Sequence, residues 1–140
     1  MSRAQINTAY KKQPELFSDF LGNLDLHPLS NDIARVTNSE AVKQSIKNLV
    51  LTNFGERPFR PNLGSNVWKM LFQPLDGFAI QDIKNYIKET VIFFEPRANL
   101  LDVSAAASPT DENKLVVSIT FNLINTTNID TLNLILQRVR

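Results

Sequence analysis

Two segments in the middle of the chain place apolar residues at the spacing of an amphipathic helix. In residues 38–54 the apolar positions recur every three or four residues, as expected for a helix that buries one face. In residues 77–94 the same spacing gives a broader apolar stripe, made of Phe78, Ile80, Ile83, Tyr86, Ile87, Val91 and Phe94. The pattern predicts two main helices.

Polar residues, glycine and proline mark the ends of both predicted helices. Thr37, followed three residues later by Glu40, predicts a capping box in which each side chain accepts from a backbone N–H of the first turn. Asp76 is the predicted N-cap of the second helix, and Gly55 supplies a left-handed stop after the first. The second helix has to end before Pro96, because the residue that precedes proline is disfavoured in the helical region.

The last third of the chain changes to a period of two, which is the spacing of strands with one buried face. Strands are predicted at about residues 99–107, 114–124 and 130–139, and the turn residues of SPTDENK predict a hairpin between the first two. The predicted inward-facing positions are Leu101, Val103, Ala105, Leu115, Val117, Ile119, Phe121, Leu123, Leu132, Leu134 and Leu136. The order of elements predicts an α+β fold, with two main helices packed on one face of a small three-stranded antiparallel sheet.

The start of the chain has a different pattern. Residues 1–36 carry scattered apolar positions without a sustained period, together with Pro14 and Pro28. They predict an extended N-terminal arm that precedes a single α+β domain over residues 37–140. The arm docks either on its own domain or on a partner, and both alternatives stay open at this stage.

Composition narrows the classes of function. Fifteen Lys and Arg residues stand against fourteen Asp and Glu residues, interspersed along the chain, which argues against nucleic acid and membrane surfaces as partners. The chain has no cysteine, so disulfides and thiolate metal sites are excluded. The N-terminus lacks the apolar core of a signal peptide, and the apolar runs are too short to cross a bilayer. We therefore expect a soluble protein of the cytoplasm.

Candidate catalytic chemistry is weak. The single histidine, His27, precedes Pro28 in the irregular arm, which is a poor place for a catalytic base. The four glycines do not form a phosphate-binding motif, so no cofactor is predicted. Paired carboxylates could hydrolyse a glycosidic bond, and the candidates are Glu56, Asp76, Glu89, Glu95 and Asp102, but any globular chain contains such a set.

Three features point instead to a partner protein. Glu95, Pro96 and Arg97 lie at the junction of helix and strand, either as two solvated charges or as an ion pair that leaves water when a partner covers it. The last strand, with Leu132, Leu134 and Leu136, is long and lacks proline, so its edge could accept an added strand unless the arm covers it. Arg57, Pro58, Phe59 and Arg60 project from a loop that prolines stiffen.

The stretch EAVKQSIKNLVLTNFGERPFRPNLGS and the later FFEPR resemble the baseplate wedge family of contractile-tailed phages, whose relatives include the wedge component of type VI secretion baseplates. The resemblance covers about residue 24 to the C-terminus. It implies a structural subunit, present once per wedge of a six-fold baseplate in the virion and assembled in the host cytoplasm.

The same resemblance implies roles for particular residues. Glu95, Pro96 and Arg97 match a signature that locks the subunit onto the core bundle of neighbouring wedge proteins around the tail tube. The strands of the family act as a template for the tail sheath protein. The implied partners are therefore other wedge proteins and the sheath protein, and possible contact with the tail tube is left open. We further expect Arg57, Pro58, Phe59 and Arg60 to contact partners.

Two alternatives remain at this stage. The chain could be the wedge component of a type VI secretion baseplate, or a peptidoglycan-cleaving, lysozyme-like enzyme. The sequence gives no support for the enzyme, because its acidic residues show no pairing that marks a cleft. We predict that the protein is not an enzyme.

Overall fold

The fold is a layer of helices packed on one face of a three-stranded antiparallel sheet. The computed structural model describes residues 14–111 and 113–137. The elements are β1 Ser18–Phe20, β2 Arg35–Thr37, α1 Asn38–Leu51, α2 Val67–Leu71, α3 Gly77–Phe94, β3 Ala98–Ala107, β4 Lys114–Leu123 and β5 Ile129–Gln137. The sheet has the strand order β3-β4-β5, and both of its pairs are antiparallel. The predicted α+β class is confirmed.

The core forms where the helices meet the inner face of the sheet. All alternate positions of β4 predicted to face inward are buried, and from the helices Ile46, Ile83 and Ile87 are fully buried against them. Burying one such side chain contributes about 1.5–3 kcal/mol. The core also includes Val42, Val50, Val67, Leu71, Val91, Val103, Leu134 and Leu136. The period-two pattern therefore identified the inner face of β4 correctly.

One of the two predicted helix caps is present. The Asp76 carboxylate accepts a hydrogen bond of 2.8 Å from the backbone N–H of Ala79, as predicted. The capping box of α1 is wrong, because the Thr37 side chain makes no capping hydrogen bond. Glu40 instead pairs with Lys43 Nζ at 2.8 Å. A full positive charge one turn away offers the Glu40 carboxylate a stronger partner than a backbone N–H.

The stripe predicted for α3 contains one wrong residue. Phe78 is 85% exposed, whereas Ala79, Ile83, Ile87 and Val91 are buried. At about 100° per residue, Phe78 lies roughly 150° from the centre of the buried face. Five positions separate it from Ile83, and that interval does not return to the same side of a helix.

A second prediction, the inward orientation of Leu101 in β3, is wrong because of a β-bulge. Leu101 was expected to face the core, but it is 49% exposed. The register of β3 against β4 shifts between Leu100 and Asp102, so Leu101 is an extra residue without an opposite partner. The side-chain alternation therefore restarts after it, and Val103 is buried as predicted.

The described part of the N-terminal arm lies on its own domain. Its two short strands, β1 and β2, pair with each other, so the arm doubles back on itself. The side-chain amide of Gln44 on α1 holds it in place, donating to the Phe20 carbonyl at 2.8 Å and accepting from the Gly22 N–H at 2.9 Å. Residues 1–13 lie outside the described residues, and the boundary between arm and domain stays a prediction.

The loop after α1 is held against that helix by close backbone contact at Gly64. The Ser65 N–H donates to the Thr52 carbonyl at 2.8 Å, and the Ser65 hydroxyl donates to the Val50 carbonyl at 2.7 Å. Gly64 has φ +129, and a Cβ built there would lie 2.4 Å from the Thr52 carbonyl oxygen. Only glycine fits this position without displacing backbone.

Substituting Gly64 by alanine is therefore expected to destabilise the protein by about 2–4 kcal/mol, from backbone strain and steric overlap. Gly55→Ala is the matched control, because Gly55 also has positive φ, +83, but an added Cβ there meets nothing within 4 Å. It should cost only about 1–2 kcal/mol. Urea unfolding of both variants measures the difference, and equal losses would refute the close-approach explanation.

Candidate functional site

A tight turn joins α3 to β3 and carries Glu95, Pro96 and Arg97. The Glu95 N–H donates to the Val91 carbonyl at 2.9 Å, and the Glu95 carbonyl accepts from the Ala98 N–H at 3.2 Å. Pro96 occupies the second position of this turn, where its fixed φ is favourable. The turn brings the two charged side chains together. Arg97 Nε donates to Glu95 Oε1 at 2.7 Å and Arg97 Nη2 donates to Glu95 Oε2 at 2.9 Å, which is a bidentate ion pair.

The burial of this pair differs from both sequence-based interpretations. The side chain of Glu95 is 2% exposed and that of Arg97 is 31% exposed. The interpretation of the motif as two solvated charges is therefore wrong for Glu95. Glu95 is already buried by its own chain, so of the two charges only Arg97 can lose further exposure to a partner, and that contact stays a prediction. What remains open to solvent is part of the Arg97 side chain, together with Pro96.

The Glu95–Arg97 pair connects three parts of the fold. The Arg97 guanidinium carbon lies 5.7 Å from the centre of the Phe17 ring in the arm, a cation–π distance. Burial raises the pKa of the Glu95 carboxyl, but hydrogen bonds from Arg97 and from the Ser45 hydroxyl on α1 outweigh burial and leave that pKa below its ordinary value. Sequence patterns did not point to Phe17 or Ser45, because both lie far from Glu95 along the chain.

The lowered pKa predicts how stability depends on pH. Because the folded carboxyl binds a proton less readily than the unfolded one, the pair stabilises the protein fully above the ordinary value of 4.5 and stops doing so as pH falls through the folded pKa. We therefore expect the thermal midpoint to fall as the pH is lowered below about 4.5, and to fall less in Glu95→Gln. Identical pH profiles for the two proteins would contradict this.

The backbone of β5 has one side that faces away from the sheet. In antiparallel sheets, successive residues direct their N–H and C=O groups to opposite neighbours. The Lys114 carbonyl accepts from Ser108, and the Ile124 N–H donates to the Arg97 carbonyl. The backbone N–H and C=O groups of even-numbered residues in β4 therefore form hydrogen bonds with β3, and those of odd-numbered residues form hydrogen bonds with β5.

This alternation fixes which groups of β5 are free of the ladder. The residues at odd positions in β4 lie opposite Leu132, Leu134 and Leu136, whose backbone groups are therefore used within the sheet. The N–H and C=O groups of Thr131, Asn133 and Ile135 point outward. Among the described residues no strand pairs with this side. We call these outward groups the β5 edge.

The three leucines predicted to bind partners face the core of their own domain. Leu134 and Leu136 are buried, and Leu132 packs against the same core. A strand added to the β5 edge would meet the backbone of Thr131, Asn133 and Ile135, not the leucine side chains. A role of the three leucines in partner binding stays a prediction. Such a role would be indirect, because the leucines hold β5 in place against the core.

The four residues predicted in the loop lie on the surface. Arg57, Pro58 and Arg60 are exposed, and Phe59 is 98% exposed. The loop that carries them is closed by a 2.7 Å hydrogen bond from the Gly55 N–H to the Pro61 carbonyl. Within the part of the chain that the structure describes, no hydrogen bond or ion pair joins Arg57 or Arg60 to the Glu95–Arg97 pair.

The carboxylates considered for hydrolysis are used mainly by the fold. Asp76 caps α3, Glu95 binds Arg97, and Glu56 accepts from the Asn53 N–H at 2.8 Å. Across residues 14–111 and 113–137, no group of three or more metal-ligating side chains could hold a metal ion. None of the helices described reaches the length and apolar character needed to span a bilayer.

Comparison with known proteins gives a consistent result. Residues 36–128 match the family described as baseplate wedge protein gp25. The baseplate wedge protein gp25 of Enterobacteria phage T4 is 27% identical over 123 residues, which make up 87% of this chain and 86% of the phage protein.

Two solved structures resemble the fold. A chain in the cryo-EM structure of the anti-feeding prophage baseplate is 27% identical with a TM-score of 0.70, covering 80% of this chain and 89% of that one. A crystallised Geobacter sulfurreducens protein, provisionally named a tail lysozyme, is 28% identical with a TM-score of 0.68, covering 76% of this chain and 98% of that one.

Proposed function

This chain belongs to the gp25 family of baseplate wedge proteins, and we propose that it is a structural subunit of a contractile-tail baseplate, with wedge and sheath proteins as its partners. The observation that carries the proposal is the family match over residues 36–128, a range that contains both the Glu95–Arg97 pair and the loop at residues 57–60. The subunit would reside in the tail baseplate of the particle.

The Glu95–Arg97 pair supports a contact with the neighbouring wedge proteins. Its bidentate geometry holds the guanidinium in one orientation, so the exposed part of Arg97 and Pro96 form a preorganised surface. Arg97 keeps N–H groups beyond the two that bind Glu95, and these can donate to carbonyl or carboxylate groups of a helix bundle. A partner would bury a charge that is already paired, which lowers the cost of desolvation.

The β5 edge supports a role as template for the sheath. Three consecutive outward residues, Thr131, Asn133 and Ile135, each offer one N–H and one C=O to an incoming strand. At about 0.5–1.5 kcal/mol net for each hydrogen bond, six such bonds contribute roughly 3–9 kcal/mol before the entropy of ordering the strand. The opposite edge of the sheet is less suitable, because β3 carries the bulge at Leu101.

Two alternatives are distinguished by different observations. A wedge component of a type VI secretion baseplate would use the same surfaces, so the genes beside this one separate the two systems. The lysozyme-like activity suggested by one structural relative would need two carboxylates across a cleft. Asp76 and Glu95 are already engaged in structural contacts, which does not favour that activity.

The direct test of the proposed function is assembly. The other baseplate proteins of the parent particle would be co-expressed with and without this chain, and the wedge complexes would be examined by gel filtration and electron microscopy. We expect complete wedges only when the chain is present. Wedges that form normally without it, together with release of peptidoglycan fragments by the purified chain, would support the enzyme instead.

A further inference from the structure

An apolar cavity of about 730 Å³ lies between the C-terminal turns of α3 and the segment that follows α1. Neither Arg97 nor a residue of the β5 edge lines it. The lining residues include Phe54, Tyr86, Glu89, Thr90, Ile92 and Phe93. We call it the Phe93 groove.

The walls of the Phe93 groove expose more apolar surface than folding requires. Phe93 is 80% exposed, Ile92 is 68% exposed and Phe54 is 41% exposed. The Phe93 ring nevertheless has a defined position, edge-on to Phe94 with 4.9 Å between ring centres. Neighbouring exposed apolar side chains of this size, held in place on a helix, are typical of protein interaction sites.

The polar groups of the groove indicate the chemistry of its occupant. Glu89 is exposed beside the groove, and among residues 14–111 and 113–137 no ion pair joins it to another side chain. The exposed Glu89 carboxylate favours an occupant that brings positive charge.

The groove is also continuous with the surface around the Glu95–Arg97 pair. Ile92 lines both this groove and a second cavity of about 600 Å³, which Pro96, Leu100 and Leu123 also line. A partner that covers Pro96 and Arg97 would therefore extend over Ile92 into the groove. The loop beside the groove is tied to α3, because the Thr90 hydroxyl donates to the Gly64 carbonyl at 3.3 Å.

We propose that the Phe93 groove binds a basic amphipathic segment of a neighbouring baseplate protein. An aromatic or long aliphatic side chain of that segment enters the cavity against Phe54, Tyr86 and Phe93, and a lysine or arginine beside it pairs with Glu89. This inference rests on the proposed function, because it takes the partner from the same baseplate.

The chain offers well-matched variants for the test. Phe93→Ala and Glu89→Lys alter the groove, whereas Phe78→Ala removes an equally exposed phenylalanine, 85% against 80%, from the opposite end of the same helix. The full chain would be co-expressed with the other baseplate proteins of its particle. We expect Phe93→Ala and Glu89→Lys to reduce incorporation into wedges at least about tenfold, and Phe78→Ala to leave it unchanged. Thermal unfolding would establish that all three variants fold.

A photo-crosslinking residue at position 93 identifies the occupant in the same wedges. We expect the crosslinked peptide to contain an apolar side chain with a lysine or arginine nearby. Replacing that basic residue of the partner by glutamate should restore the incorporation of the Glu89→Lys variant. A crosslink to an acidic segment, or to a second copy of this chain, would overturn the proposal. So would wild-type incorporation of both groove variants.

These outcomes separate the groove from the proposed function as a whole. If the groove variants assemble normally while wedges still require the chain, the groove proposal fails and the function as a wedge subunit stands. If wedges form normally in the absence of the chain, the proposed function fails first.

Discussion

Replacing Arg97 by alanine is expected to destabilise the isolated subunit by about 3–5 kcal/mol, because it leaves the Glu95 carboxylate buried without its guanidinium. For a chain of this length, the loss corresponds to a thermal midpoint lower by about 10–20 °C. Glu95→Ala should cost less. The charge that it leaves behind belongs to Arg97, which is 31% exposed and can turn towards solvent.

The double variant Glu95→Gln, Arg97→Ala separates the electrostatic effect from lost packing. Its neutral amide removes the unpaired charge, so we expect it to recover much of the stability that Arg97→Ala loses. A double variant as unstable as Arg97→Ala would show that the buried charge is not the cause.

The same double variant tests the wedge contact without the complication of misfolding. Because it should fold but lacks the oriented guanidinium, we expect it to fail to join wedge complexes when it is co-expressed with the other baseplate proteins. Folded protein that joins them as efficiently as wild type would show that the Glu95–Arg97 pair acts only within the subunit.

Placing prolines at Asn133 and Ile135 is expected to block sheath formation while leaving the subunit folded. Both residues direct their N–H groups away from β4, so proline removes two donors from the β5 edge and none from the ladder. The loss of two hydrogen bonds, about 1–3 kcal/mol, corresponds to roughly fivefold to 150-fold weaker strand addition. Electron microscopy of the particles should show tail tubes without sheath.

Asn133→Ala, Ile135→Ala is the matched control, because it alters the same side chains and keeps both N–H groups. We expect that protein to support normal sheath growth. Thermal unfolding should show a folded proline variant, since Leu132, Leu134 and Leu136 remain in the core. Sheathed tails in normal numbers from baseplates that carry the proline variant would refute templating by the β5 edge.

Local patterns were sufficient for most of the fold. The period of 3.6 located α1 and α3, the period of two located β4, and the Asp76 cap is present. These predictions succeed because each depends on residues close together in the chain. The pattern failed at Leu101, where one extra residue in β3 reverses the alternation, since a bulge depends on the neighbouring strand.

The candidate site was only partly accessible to sequence reasoning. The motif at Glu95, Pro96 and Arg97 could be recognised, but its burial could not, because Ser45 and Phe17 reach it from distant parts of the chain. The helical period left Phe93 out of the buried stripe of α3, but it could not show that Phe54 and Tyr86 lie beside Phe93 to form a groove.

The sequence by itself determined the order of α1, α3, β3, β4 and β5, the buried face of β4 and the two motifs that resemble the wedge family, but it did not predict β1, β2 or α2. Side-chain period and turn chemistry are local properties, and the chain carries them in any state. The tertiary structure alone decided that Glu95 is buried in an ion pair, and that the outward backbone groups of β5 belong to Thr131, Asn133 and Ile135. Burial and hydrogen-bond direction depend on which distant segments meet, and that is fixed only when the chain has folded.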